Sequence, residues 1–293
     1  MASAKLRYFH PIFRPLVQYF IPELRTCWQS NRRAQELLAP IIAKRQVEEK
    51  NDDYKKPIDS IQWVRDLAPE PDRSDAHLHG IIQLAIASAS VGSTSHLITN
   101  IIFNLATWPE YQTMLKKEID DTLVEAGGKW TADSMGQLKK LESFMKESFR
   151  QNGHVTTTFQ RLALKDINLS DGTHIPANTM IFTPAFAIAN DANIYQEPET
   201  FDGLRYYNLR KRSPEDEKKF QFTTVNKEQM QFGMGRHACS GRWMANYQIK
   251  LALAALICKY EFKLKDGVRP KNTSFMTNLH PDLKAEILFK NRK

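Results

Sequence analysis

Phe232-Gly233-Met234-Gly235-Arg236-His237-Ala238-Cys239-Ser240-Gly241-Arg242 brings one cysteine, bracketed by glycines, to the start of an apolar segment. A thiolate is the form of cysteine that binds metal. A sulfur at a helix N-terminus meets unpaired backbone N–H groups and the positive end of the helix dipole, and both favour the anion. Gly233 and Gly235 let the chain turn tightly and approach a flat ligand with no Cβ in the way. Gly241 would let the first helical turn lie close to the same ligand, and Phe232 supplies an aromatic wall beside the sulfur. Arg236 and His237 before the cysteine, and Arg242 after it, suit a ligand that carries carboxylates.

Two other readings use the same residues. Gly233-Met234-Gly235-Arg236-His237-Ala238 matches G-x-G-x-x-G/A, with Glu261 at roughly the ribose-binding distance. That fingerprint follows a buried strand, whereas Asn226 to Gln231 is polar and Arg236 and His237 are bulky for a pyrophosphate turn. A buried structural cysteine is the usual fate of a lone thiol, but it leaves the glycines and the basic cluster unexplained.

The eleven-residue text F-G-M-G-R-H-A-C-S-G-R resembles the haem-binding loop of cytochrome P450 monooxygenases, in the form common in fungi. The resemblance implies that Cys239 is the axial thiolate of a haem iron, the ligation that assists O–O cleavage. It implies that His237, Arg161 and Arg236 anchor propionates, and that Phe232 and Gly241 shape the ring's surroundings.

Working outward, Glu147-Ser148-Phe149-Arg150 places a carboxylate and a guanidinium on one helix face. Alone, such a pair carries little weight, because surface ion pairs contribute about 0–1 kcal/mol. Its order in the chain matters more, because Phe201-Asp202-Gly203-Leu204-Arg205-Tyr206 lies between it and the cysteine. That segment is similar to the family's meander, so Glu147, Arg150 and Arg205 are expected to form a buried network behind the cysteine loop. Its role is structural.

Residues 76–107 predict a long helix ended by Pro109, with small and hydroxyl residues from Ala87 to Ser95 at its centre. Hydroxyls there can bond back to the helix backbone. The residues alone suit a close helix–helix contact. By resemblance this is the oxygen-activating helix, with Gly92 where many members have an acid, and with Ser93 and Thr94 managing dioxygen and protons.

The remaining chain is read more coarsely. Residues 1–30 predict short helices between prolines, with aromatic residues that suit membrane contact. Their Arg14-Pro15-Leu16-Val17 and Phe20-Ile21-Pro22-Glu23-Leu24-Arg25 text is similar to text that, in the family's fungal members, lies between the helices roofing the substrate pocket. Residues 31–50 predict a helix and 51–60 a polar loop. Helices are expected over 110–126, 137–151 and 241–258, and a surface loop over 208–228. Residues 155–185 predict a small antiparallel sheet that carries Arg161, which the strand pattern alone would leave solvated. Val155, Thr156 and Thr157 are assigned to the substrate side. Terminal strands are expected over 260–290.

The 293 residues, 42% of them hydrophobic, suffice for a core. The net charge of +8 suits an acidic redox partner, and no basic run interleaved with aromatics matches a nucleic-acid motif. Three cysteines, an odd and sparse set, argue against a disulfide framework. No signal-peptide core is visible near Met1, and the most apolar stretch, Ile81 to Ala106, is broken by Ser, Thr, His and Asn, so no transmembrane segment is expected.

The expectation is therefore one mainly α domain over 1–293, helical with a small antiparallel β region: the C-terminal portion of a cytochrome P450 fold. The family's anchor helix, most of its first sheet and a further propionate-binding helix are expected to fall outside it. The implied activity is haem-dependent monooxygenation of an apolar secondary metabolite of terpenoid type. The implied partner is NADPH-cytochrome P450 reductase. The implied location is the endoplasmic reticulum membrane surface, or the cytoplasm if nothing anchors the chain. The alternatives are a catalytically inactive haem-binding remnant and a dinucleotide-binding oxidoreductase.

Overall fold

The computed structural model describes residues 2–292, which cluster into two compact units, one up to Val91 and one from Gly92 onward. The division falls inside a single long helix.

The first unit holds helices α1 (Ala2–Arg7), α2 (Arg14–Val17), α3 (Pro22–Glu48) and α4 (Ser60–Leu67), and the first half of α5 (Ala76–Thr107). Helix α3 starts well before the expected boundary. Pro22 sits in its first turn, where a missing N–H costs nothing, and Pro40 is carried inside it. Helix α4 was not expected. Asp59 nucleates it by accepting the Gln62 N–H at 2.9 Å, and the Arg45 guanidinium grips the same carboxylate at 2.8 and 2.6 Å. The Arg45 hydrogen bond holds the Asp59 carboxyl down at about 2.

Helix α5 spans the predicted range, 76–107, residue for residue. By length and composition it is long and apolar enough to cross a membrane, a test that the core helix of a soluble protein also passes. Its Ser, Thr and Gly residues are close to neutral in hydropathy, and it carries no Asp, Glu, Lys or Arg to lower the average.

The second unit continues with α6 (Pro109–Glu125), α7 (Ala132–Gln137) and α8 (Lys139–Gln151). The α8 N-terminus has no cap of its own. Instead Glu118 of α6 accepts the Lys140 and Leu141 N–H groups at 2.7 and 2.9 Å. Four two-stranded antiparallel pairs follow along the chain. They are β1 (Thr158–Leu162) with β4 (Met180–Thr183), β2 (Ile167–Asn168) with β3 (His174–Ile175), β5 (Tyr260–Leu264) with β8 (Ile287–Asn291), and β6 (Thr273–Phe275) with β7 (Asn278–His280).

Helices α9 (Ala185–Ala189), α10 (Arg205–Arg210), α11 (Pro214–Lys219) and α12 (Arg242–Lys259) complete the unit. The stretch 208–228, expected as loop, contains α11 and the end of α10. Ser213 caps α11, Pro214 opens it, and three acidic residues fill its first turn, so its start signals were present in the sequence. The core joins Leu97, Ile101 and Leu105 of α5 to Phe144 and Phe149 of α8 and to Ile249, Leu253 and Ile257 of α12. It is mostly helical, with Phe262 and Leu264 of β5 and the loop residue Phe222 completing it.

Candidate functional site

The cysteine loop is a turn closed by its own backbone. Gly233 and Gly235 both adopt left-handed conformations, with φ of 72° and 70°, which a residue with a Cβ adopts only at a cost. A short 3-10 turn over Gly235–His237 follows, and Cys239 lies two residues ahead of Gly241, the N-cap of α12. The sulfur is exposed. A Cβ built on Gly241 would stand 4.0 Å from that sulfur, at ordinary van der Waals contact.

The basic residues divide their work. Arg242 turns back onto the loop, donating to the Cys239 carbonyl at 2.7 Å and the Thr223 carbonyl at 3.1 Å, with its guanidinium over the Trp243 ring. It is a brace for the loop. Arg236 is exposed. His237 lines an open cavity of about 400 Å³ together with Gly233, Met234, Phe159, Arg161 and Leu162. The structure thus brings two of the expected carboxylate partners, Arg161 and His237, to one hollow beside the cysteine loop. A bulge delivers Arg161 there. The β1–β4 register shifts between Thr158 and Arg161, Phe159 is left-handed with φ of 54°, and the Arg161 guanidinium lies 4.2 Å from the Phe159 ring centroid. A larger cavity, about 710 Å³, lies between the α5–α6 junction and the β5–β8 pair, and contains none of the cysteine-loop residues.

Behind the loop, the expected network is assembled. Arg150 donates to both oxygens of the fully buried Glu147 at 2.8 and 2.7 Å, and Arg205 donates to the same two oxygens at 3.1 and 3.2 Å. Arg205 also holds the Gln196, Glu197 and Thr200 carbonyls, and Arg150 holds that of Ala189. The connection to the cysteine loop is aromatic. Phe149 lies 4.9 Å and Phe222 lies 5.3 Å from Phe232, centroid to centroid. Tyr195, under the Arg150 guanidinium, donates its hydroxyl to the Glu228 carbonyl just before the loop.

Ser93 and Thr94 are half-buried on α5 and do not line the 400 Å³ hollow. Their helix reaches the loop through rings that sequence reasoning missed. His96 donates its Nε2 proton to the Asn152 carbonyl at 3.0 Å. Its ring meets His154 edge-on at 6.3 Å, and His154 stacks on Phe149. Burial pushes both imidazoles below the ordinary histidine value, which keeps them neutral at physiological pH. A buried histidine in an apolar helix was the available signal.

These features define a mainly α protein with an exposed cysteine held on a glycine turn over a buried Glu–Arg–Arg network. The family model for cytochrome P450 matches residues 3–289. The chain belongs to the cytochrome P450 family. It is 38% identical over 290 residues to the cytochrome P450 monooxygenase braC of Annulohypoxylon truncatum, covering 98% of this chain and 58% of that protein. It is 35% identical over 291 residues to the cytochrome P450 monooxygenase AN1598 of Emericella nidulans, covering 98% of this chain and 54% of that one. The crystal structure of a cytochrome P450, CYP102L1, shares the fold with a TM-score of 0.70 at 20% identity, over 94% of this chain and 59% of the other. The chain therefore spans somewhat more than half the length of these relatives.

Proposed function

We propose that this chain is the haem-ligating part of a monooxygenase, with Cys239 as the thiolate ligand of the iron. The supporting observation is the loop itself: an exposed sulfur that follows a turn built on two left-handed glycines. The donor set fits a haem, which needs one soft ligand for its metal and cations for two carboxylates. Arg161 and His237 share the adjoining hollow and would take the propionates, with exposed Arg236 beside them. Phe232 walls the loop, wedged against Phe149 and Phe222.

When bound, a thiolate-ligated haem supplies activation of dioxygen, so that one oxygen atom can enter a C–H bond of an apolar substrate. The chain's own residues hold the ligand, screen it and handle protons. Ser93 and Thr94 put hydroxyls at the small-residue centre of α5, where proton delivery is assigned to them in the absence of an acid at Gly92. The substrate class is an apolar secondary metabolite of terpenoid type. Electrons come from NADPH-cytochrome P450 reductase, for which a net charge of +8 suits an acidic partner. The endoplasmic reticulum surface is the proposed location. Exposed Tyr8, Phe13, Leu16 and Phe20 support membrane contact by the first unit.

The test is the reduced, carbon-monoxide difference spectrum of the chain expressed with haem supply. A thiolate-type band is expected, and Cys239→Ala should remove it. A nitrogen-type band, or none, overturns the assignment, and NAD(P) binding by a haem-free protein would revive the dinucleotide reading. Haem uptake with no turnover in the presence of reductase would mark an inactive remnant.

A further inference from the structure

One peptide group is gripped from both sides by α8. Glu142 and Lys146 stand one helical turn apart on that helix. The Lys146 ammonium donates to the Gln221 carbonyl at 2.5 Å, and the Phe222 N–H donates to the Glu142 carboxylate at 3.0 Å. The Gln221 carbonyl and the Phe222 N–H belong to the same peptide unit, so both of its polar ends are fixed by buried side chains. The two have only 7% and 6% of their surfaces exposed.

The clamp extends in both directions along the chain. The other Glu142 oxygen receives Lys250, a nearly fully buried residue of α12. Lys250 also donates to the Met135 carbonyl at 2.9 Å. Arg210 of α10 reaches Glu142 at 3.1 Å. Phe222, buried and with its peptide held, sits edge-on against Phe232, and the Phe232 carbonyl receives the Cys239 N–H at 2.8 Å. A continuous path of short contacts thus runs from two side chains of α8 to the sulfur-bearing residue. It shares no hydrogen bond with the Glu147 network one turn further along the helix.

A burial of this kind is difficult to explain by stability. A lysine with no carboxylate within ion-pair distance is a costly core residue, and an apolar side chain of similar shape would fill the space better. The ammonium earns no such replacement if its function is directional, as a donor aimed at one carbonyl. We infer that Glu142 and Lys146 are positioning residues that clamp the Gln221–Phe222 peptide and, through Phe222 and Phe232, set the seating of the cysteine loop. The consequence for haem ligation rests on the function proposed above. The clamp itself does not.

The test uses the full chain, with and without haem, and the variants Lys146→Met and Glu142→Gln, which keep shape while changing donor or charge. Hydrogen exchange on the haem-free chain is read at Phe222, at Cys239 and, as controls, at the β5–β8 amides. In Lys146→Met the Phe222 and Cys239 amides should exchange about fivefold faster, as expected for one lost hydrogen bond, with the controls unchanged. In the haem-loaded variant, the ratio of thiolate-type to other carbon-monoxide bands should fall by a similar factor, about fivefold. The inference is overturned if loop exchange and band ratio match the wild type. It is also overturned if loop and control amides speed up together with a lowered unfolding midpoint, since that is a general loss of stability. If the wild type itself gives no thiolate-type band, the haem assignment fails while the exchange comparison still decides the clamp.

Discussion

Cys239 donates its backbone N–H to the Phe232 carbonyl at 2.8 Å, so the loop between them is a closed turn before any ligand is considered. The turn depends on Gly233 and Gly235 being left-handed. Nothing lies within 4 Å of a Cβ built on Gly235, so Gly235→Ala has a purely conformational penalty, about 1–2 kcal/mol. The expected result is a loop that forms less completely in a chain that still folds. A thiolate-type carbon-monoxide band reduced several-fold beside a nearly unchanged far-ultraviolet spectrum would show it. An unchanged band would mean that the turn does not need that backbone conformation.

Glu147 is the shared acceptor of two guanidiniums, with no exposed surface of its own. Glu147→Gln keeps the shape and removes the charge, which leaves Arg150 and Arg205 uncompensated. Breaking one partner out of a buried network of this kind costs about 3–5 kcal/mol. Urea unfolding should show that loss as a lower midpoint, and a midpoint within error of wild type would contradict the structural role given to the triad.

The parts of this arrangement that could be read in the sequence are those with local signals. Helices α5 and α12 were legible because each is an apolar run with a clear stop or start, at Pro109 and at Gly241. The cysteine turn was legible because glycine spacing is local chemistry. The Glu147–Arg205 contact was legible only through family resemblance, since nothing in the residues themselves pairs two groups so distant along the chain. The Phe159 bulge that aims Arg161 carries no signal, because a left-handed phenylalanine is imposed by its tertiary setting. The Glu142–Lys146 clamp was hidden for a different reason: acid and base one turn apart read as an exposed helix pair, and only packing shows both to be buried.

Gly203 lies where no side chain fits. A Cβ there would stand 2.6 Å from Cδ2 of Phe144 and 2.7 Å from Cε1 of Tyr111. Those rings belong to a packed cluster with Phe201, which stacks on Trp108 at 4.3 Å, so they have little room to yield. The Gly203 N–H also donates to the Tyr111 hydroxyl at 3.1 Å. Gly203→Ala should cost about 1–3 kcal/mol by overpacking and should quench or shift the near-ultraviolet signal of Trp108 and Tyr111. A variant as stable as wild type, with the same aromatic spectrum, would show that the cluster opens easily.

Lys146 gives a pH dependence whose sign can be worked out. Burial, only partly offset by Glu142 and reinforced by Arg210, pushes its pKa down to about 7 in the folded chain. In the unfolded chain it returns to the ordinary lysine range, near 10.4. Between those two values the unfolded chain binds a proton that the folded chain does not, so this residue's contribution makes stability rise with pH from about 7 toward 10. Below about 7 both states are protonated and the full penalty is present. Lys146→Met removes the titrating group, so the difference in unfolding free energy, variant minus wild type, should be most favourable to the variant at or below pH 7 and should decline steadily as the pH is raised toward 10. Urea titrations of both proteins across that range measure it. A difference that stays flat would mean that the buried ammonium keeps an ordinary pKa.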